Sequence, residues 1–293
     1  MSSSRRDFIK TASVLAAGSV VPLNRLAAPG ARVAPNDKIN VAMIGGNGMG
    51  WSDLESFLKN PEVECAALCD VDRNILNKRT DDLIKMGRPR PKLYIDYRNM
   101  LENKDIDVVI IGTPDHWHCL ILCDSLEAGK SAYVEKPIGN SIAEINIMQN
   151  AVKKHGKIVQ VGQWQRSQPH FVDAMNYLRS GKLGRIRICK AWSFIDWKSA
   201  VPKVPDSPVP QGVDYKMWLG PAPMRPFNKN RFHHNWRWYW EYAGGELTDW
   251  GVHLIDYILY GMGKSVPESV MAIGGKYAFP DDDMVTPDTM TAV

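Results

Sequence analysis

From residue 38 onward, short apolar runs alternate with stretches in which apolar positions recur every three or four residues. Lys38–Ile44 (KINVAMI) is a run of the first kind and predicts a buried strand. A glycine-rich turn, Gly45–Gly50, leads into Ser52–Lys59, where Leu54, Phe57 and Leu58 share one side of a helix. The pattern repeats with a strand at Val63–Asp70, a helix at Ile75–Met86, a brief strand at Leu93–Ile95 and a short helix at Tyr97–Glu102. Ile106–Gly112 (IDVVIIG) is the most continuous apolar run and predicts a central strand. A turn at Thr113–Trp117 precedes a helix at His118–Ala128, stopped by Gly129. Ser131–Val134, Ala143–His155 and Ile158–Val161 read as strand, helix and strand. Such alternation predicts an α/β fold with a doubly wound parallel sheet and right-handed crossovers.

Beyond residue 165 the pattern loosens. Phe171–Leu178 has helical spacing, and Arg185–Phe194 (RIRICKAWSF) partly alternates, which predicts the first strand of a second sheet. Residues 198–226 are dense in proline and predict an irregular excursion, either a binding loop or an arm for subunit contact. Arg231–Tyr242 packs six aromatic residues into twelve positions. Most of these are expected in the core, with Trp236 and Arg237 left as candidates to touch a substrate. Gly244-Gly245-Glu246-Leu247 opens a helix through Tyr260, on which Asp249 and His253, four apart, share a face.

The 293 residues are 44% hydrophobic and 23% charged, which excludes a disordered or collagen-like chain. The net charge of +4 raises the question of a nucleic-acid partner. Five of the 36 basic residues (Arg5, Arg6, Lys10, Arg25, Arg32) and one of the 32 acidic residues (Asp7) stand in the first 35 positions, leaving 31 of each sign. The excess therefore belongs to the leader, and no nucleic-acid partner is expected. That leader reads Ser-Arg-Arg-Asp-Phe-Ile-Lys at 4–10, then an apolar stretch from Thr11 to Val21, then a loose Ala/Pro/Gly run. It resembles a twin-arginine export signal, which implies recognition by the twin-arginine machinery and a periplasmic destination. An apolar stretch of about 11 residues falls short of the roughly 20 that span a bilayer, so no stable membrane anchor is expected. The five cysteines, Cys65, Cys69, Cys119, Cys123 and Cys189, are read as small buried residues. They include no Cys-x-x-Cys pair, and no metal is expected.

Candidate chemistry gathers at the ends of the predicted strands, where open α/β sheets bind ligands. Strand, Gly45–Gly50 turn and helix give the context of a dinucleotide fingerprint, in which glycine backbone and a helix N-terminus receive a pyrophosphate. Gly45 and Gly50 match it; Asn47 holds the second glycine place, with Gly48 one residue later and Met49 opening the helix. Asp70, twenty residues after Gly50, is placed to bind the adenosine ribose and leans towards NAD; Arg73 keeps NADP open. The plainer alternative for Asp70 is an N-cap or turn residue, a duty that Asp72 could share. Thr113, Pro114, Lys136 and Gln163 stand at further strand ends.

Gly45–Gly50, Cys69-Asp70-Val71-Asp72, Gly112–His118, Glu135-Lys136-Pro137 and Gly244–His253 (GGELTDWGVH) together resemble the Gfo/Idh/MocA oxidoreductase family from about residue 38 to the chain end. The Glu-Lys-Pro and Asp-x-x-x-His elements carry most of that resemblance. It implies an NAD(P)-binding Rossmann domain at 36–165, after the 1–35 leader and linker. A substrate and oligomerisation domain follows at 166–293, built on an open, mainly antiparallel sheet. That domain is expected to be incomplete, because members continue for on the order of a hundred residues of sheet. The implied reaction is hydride transfer between NAD(P), tightly held, and a hydroxyl of a sugar, polyol or related carbohydrate, in a homo-oligomer.

Lys136, Asp249 and His253 are then the catalytic candidates. His253 would act as general base, Lys136 would hydrogen-bond the reacting oxygen and stabilise developing alkoxide, and Asp249 would orient His253 or share the proton relay. Gly45, Asn47, Gly48, Met49, Gly50, Asp70, Thr113, Pro114, His118, Glu135, Lys136 and Gln163 are the implied cofactor contacts. Arg166, Trp236 and Arg237 join Lys136, Asp249 and His253 as substrate contacts. The Lys136–Pro137 bond is expected to be cis. Two other readings stay open: a glycosidase that oxidises its sugar transiently with bound NAD, and a non-catalytic sugar- or nucleotide-binding protein.

Overall fold

The computed structural model describes residues 38–194 and 199–293; the leader expected at 1–35 lies outside the described residues. Six strands, β1 (Ile39–Ile44), β2 (Val63–Cys69), β3 (Lys92–Tyr94), β4 (Val108–Ile111), β5 (Ser131–Val134) and β6 (Val159–Val161), form one sheet in the order β3-β2-β1-β4-β5-β6. Every neighbouring pair is parallel. This is the doubly wound Rossmann order, whose switch point lies between β1 and β4.

The strand period of two explains how one sheet feeds two cores. Val41 and Met43 of β1 and Ile110 of β4 pack with Trp51, Leu54 and Leu58 of the α1 side and with Leu76 and Leu83. Here α1 is Met49–Phe57 and α2 is Arg73–Lys85. Ala42, Ile44, Val109 and Ile111 point the other way. They meet Tyr97, Met100 and Leu101 of α3 (Tyr97–Leu101), Ile121, Leu122 and Leu126 of α4 (His118–Glu127), and Met148 of α5 (Ile142–His155). Helix starts follow the capping residues: the side chains of Asp72, Asp96 and Ser141 accept backbone N–H groups at the starts of α2, α3 and α5. Asp72, not Asp70, is thus the cap of α2.

α6 (Pro169–Arg179) leaves the sheet. The strand expected at Arg185–Phe194 does not form: no described residue pairs with it, and its alternate residues Ile188, Trp192 and Phe194 stay exposed. Alternation alone supplies no ladder partner, and a strand needs one. Cys189 falls in this segment and is exposed, and Cys123 is half-buried, so only Cys65, Cys69 and Cys119 are buried as expected.

The excursion after residue 198 is irregular apart from α7 (Tyr215–Leu219) and docks on the β2–α2 corner. Arg73 N–H donates to the Gly212 oxygen at 3.0 Å and Asp214 N–H donates to the Val71 oxygen at 2.8 Å. A third core forms around Tyr215, Trp218, Phe227, Phe232, Trp236, Trp238, Tyr239 and Tyr242, with Val71 against it. Edge-to-face ring pairs run through it, among them Trp218–Tyr242 at 4.9 Å and Phe227–Phe232 at 5.2 Å. A π-helical turn, Leu247–Gly251, then opens α8 (Val252–Met262), and β7 (Ala272–Gly275) pairs antiparallel with β8 (Thr289–Ala292).

Candidate functional site

The turn after β1 brings three glycines into backbone contact. A Cβ on Gly112 would be driven into the Gly50 backbone and one on Gly50 into the Gly45 oxygen, so α1 starts hard against both the β1 turn and the end of β4. Gly45 has a φ of 85° and Gly48 a φ of 66°, conformations that L side chains rarely adopt. No side chain caps α1 at Gly48, so its first N–H groups face the cleft free of a side-chain acceptor. A bare helix start behind a glycine cradle suits a pyrophosphate, and the residues present fit a dinucleotide on that ground. At the end of β2, Asp70 is buried and accepts from Gly46 N–H at 2.8 Å and Asp72 N–H at 2.9 Å. Burial raises its pKa, against the pull of those two amides and of His233.

A cleft of about 280 Å³ runs from this turn past the ends of β2, β4 and β5. Its walls include Gly45, Asn47, Gly48, Met49, Asp70, Thr113, Pro114, Glu135 and Lys136 from the sheet side, and Trp236, Arg237 and Asp249 from the later segment. Lys136 closes one end. Its Nζ donates to the Asp249 Oδ1 at 2.7 Å and to the Asp249 carbonyl at 2.8 Å. The Lys136–Pro137 bond that follows is cis, as expected. Asp249 sits in the π-helical turn, a distortion frequent at functional sites. Its carboxylate also accepts from Arg237 Nε at 3.3 Å, and the Arg237 guanidinium lies 4.4 Å over the Trp236 ring. Burial would push the Asp249 carboxyl up, but Lys136 and Arg237 outweigh it and hold it below the usual range.

The expected Asp249–His253 pairing is replaced by another. Asp249 is taken by Lys136 and Arg237, and His253 Nδ1 lies 3.2 Å from Gln163 Oε1, between the Trp164 and Trp250 rings. Burial and then the Lys136 charge pull the His253 imidazole down to about 4, so it is neutral at pH 7. Arg166 makes a two-pronged pair with Asp256, at 2.8 and 2.5 Å. His118 is fully buried, its ring nitrogens 2.7 Å from the Pro137 oxygen and 3.0 Å from the Thr113 oxygen. It ties the β4 turn to the β5 turn. Gly50, His118, Gln163, Arg166 and His253 are not among the residues lining the cleft.

The structure adds residues that sequence reasoning passed over. Asp115, buried at the start of the turn before α4, lines the cleft beside Lys136. Its position one residue after Pro114, beyond a strand end, was the available signal. His233, at a φ of 58°, reaches the same cleft and lies 2.9 Å from the Asp72 carboxylate. His116 and Trp117 both meet the Trp218 oxygen, at 3.2 and 2.9 Å, clamping the β4 turn to the aromatic core. Behind Glu135 lies Asp53 of α1. Burial pushes Asp53 up to about 7 and Glu135 up to about 8, and the charge of Asp53 adds to the rise at Glu135.

Two descriptions of one family match the chain: an oxidoreductase family NAD-binding Rossmann fold over residues 39–163, and its C-terminal alpha/beta domain over residues 185–276. A glycosyl hydrolase family 109 protein of Shewanella baltica is 34% identical over 159 residues, covering 48% of this chain and 35% of that protein. The alpha-N-acetylgalactosaminidase of Shewanella oneidensis is 33% identical with the same coverage. The match thus spans about a third of the length of these curated relatives. The WlbA dehydrogenase of Bordetella pertussis, solved with NADH and UDP-GlcNAcA, shares the fold at a TM-score of 0.62 and 18% identity, covering 87% of this chain and 62% of that one. With an NAD-binding Rossmann sheet and the matching C-terminal region in one compact unit, the chain belongs to the Gfo/Idh/MocA oxidoreductase family.

Proposed function

We propose that the protein moves a hydride between NAD and a hydroxyl-bearing carbon of a sugar or polyol. The observation that carries this reading is Lys136, a nearly buried cation held by Asp249 in the same cleft as the glycine cradle. When bound, NAD supplies the hydride chemistry. The rest falls to side chains. The Gly45–Gly50 turn and the start of α1 would hold the pyrophosphate, and Asp70 the adenosine ribose. Thr113, Pro114 and Glu135 would shape the pocket at the reacting end. Lys136 would donate to the reacting oxygen and stabilise its developing negative charge. Neutral His253 would accept the hydroxyl proton, with Gln163 fixing its ring. Trp236 and Arg237 would contact the sugar. The leader motif supports export in folded form, and we place NAD as a resident group carried through that export.

A second reading, a glycosidase that oxidises its sugar transiently, draws support from the family 109 relatives. One experiment separates the two. The full chain is denatured to identify released nucleotide. The native protein is then given NAD with myo-inositol, D-glucose, N-acetylgalactosamine or an aryl N-acetylgalactosaminide. Net NADH formation from a free sugar or polyol supports the oxidoreductase, and aryl release with no net NADH supports the glycosidase. Neither product, with undiminished NAD binding after Lys136→Ala, would leave a binding protein.

A further inference from the structure

Two carboxyl groups, Asp115 and Asp249, line one cleft with two cations, Lys136 and Arg237, and feel the charge of both. They do not share them equally. Asp249 takes direct bonds from both. Asp115 takes none: apart from its own amide, no hydrogen-bond donor among the described residues reaches its carboxyl, although it is only 3% exposed and lines the cleft. A buried carboxylate without donors is expensive, and a second negative charge beside Asp249 makes it more so. Of the two carboxyls, Asp115 has the surroundings that favour the un-ionised form.

We infer that Asp115 stands in the cleft as an un-ionised carboxylic acid and donates a hydrogen bond to the substrate oxygen that Lys136 also contacts. The inference rests on the hydride-transfer reading for the identity of that oxygen, and on this structure alone for the protonation state. No proton is transferred from Asp115; its O–H bond stays intact while the hydrogen bond strengthens as charge builds on the oxygen. The environment agrees. Burial raises the Asp115 pKa well above its ordinary value, Asp249 adds to the rise, and Lys136 and Arg237 oppose it without prevailing. Asp249 is displaced in the other direction. Paired carboxyls driven apart in this way divide into an acid and an anion.

The test begins without any sugar. Carbon-13 NMR of the NAD-loaded full chain, labelled at aspartate carboxyls, should show the Asp115 resonance protonated at pH 7, assigned by its loss in Asp115→Asn. An ionised Asp115 at pH 7 overturns the inference. If Asp115→Asn does not fold, Asp249→Asn serves instead. With the charge of Asp249 gone, the carboxyl that is protonated in the parent should titrate at a lower pH, because that charge adds to the rise; an unchanged titration, or no aspartate protonated at pH 7 in the parent, overturns the inference as well. Kinetics follow with whichever of the four compounds above reduces NAD. Asp115→Ala should lower kcat about 100-fold, the usual cost of one such donor, with KM moving less than about threefold. Asp115→Asn, which keeps a donor, should recover at least about tenfold of that loss. Asn as impaired as Ala overturns the donor role. If none of the compounds reacts, the hydride-transfer reading fails while the NMR result still decides the protonation state.

Discussion

In the parallel sheet, Val41, Val109 and Ile110 reach complete burial on backbone ladders; between residues 201 and 243, Trp238 and Tyr242 reach it with little regular structure. The sheet region buries aliphatic side chains in two layers set by the strand period. The aromatic region has no such period. Its backbone is tied by side chains instead: Asn230 Nδ2 donates to the Pro202 oxygen at 2.8 Å and to the Asp283 carboxylate at 2.9 Å, where Tyr239 also donates at 2.9 Å. Ladder bonds cooperate along a strand, while each of these side-chain ties depends on one residue. The aromatic region should therefore be the more fragile under single substitutions.

Trp238→Ala gives the largest expected effect, a loss of about 4 kcal/mol, because the indole is enclosed and leaves a large cavity. Ile110→Val, equally buried in the sheet, should cost only about 1 kcal/mol. Denaturant unfolding followed by both tryptophan fluorescence and NAD binding tests more than the sizes. If the two regions form one cooperative unit through the His116–Trp117 clamp, both probes shift together in Trp238→Ala. A fluorescence transition that moves while NAD binding stays would split the regions and break the comparison.

Gly112→Ala attacks the sheet region where backbone meets backbone. The new methyl must part the start of α1 from the end of β4, an overpacking change of about 1–3 kcal/mol. Its effect on NAD affinity should exceed its effect on stability, since the cradle itself is displaced. Equal affinity for NAD, measured by calorimetry, would show that the three-glycine contact does not shape the cofactor site.

A smaller effect belongs to Asp53 and Glu135. Their folded-state pKa values, about 7 and about 8, lie above those of an unfolded chain. The folded protein then binds more protons than the unfolded one, so this pair makes stability fall as pH rises from about 4 to about 8. Below that window nothing is lost. Asp53→Asn should flatten the fall, raising Tm at pH 8 relative to the parent and leaving Tm near pH 4 almost unchanged. An equal shift at both pH values would show that the pair does not hold a proton.

How much of this was legible in the sequence follows the same division. Strand and helix periods located every element of the parallel sheet, because ladders and periodic burial are local properties. They misplaced a strand at Arg185–Phe194, where alternation had no partner. At the site, Lys136 and Asp249 could be named from a family resemblance, but not their mutual bond, which joins positions 113 apart. Four-residue spacing suggested that Asp249 serves His253; the π-helical turn and the nearby Lys136 redirect it. Asp115 stood beyond a strand end, but nothing in its neighbours or in those of His233 announces that the side chain enters the cleft.

Asp72 is the joint between the two regions and allows the finest test. Its side chain caps α2, accepting from Asn74 N–H at 2.9 Å, and its other oxygen lies 2.9 Å from His233 Nε2 of the aromatic region. Asp72→Ala removes both and should cost about 1 kcal/mol for the cap alone. Asp72→Asn keeps an oxygen able to cap, so its stability should stay within a few tenths of a kcal/mol of the parent on the helix side. What Asn loses is the carboxylate charge and the second oxygen that meets the His233 ring. Comparing the variants thus separates the sheet's share of Asp72 from the aromatic region's. If Ala and Asn lose equal stability, the cap is unimportant and the contact with His233 is the whole of the effect. If Asn matches the parent in both stability and NAD affinity, the bridge to His233 contributes nothing and the regions are joined through the β4 turn instead.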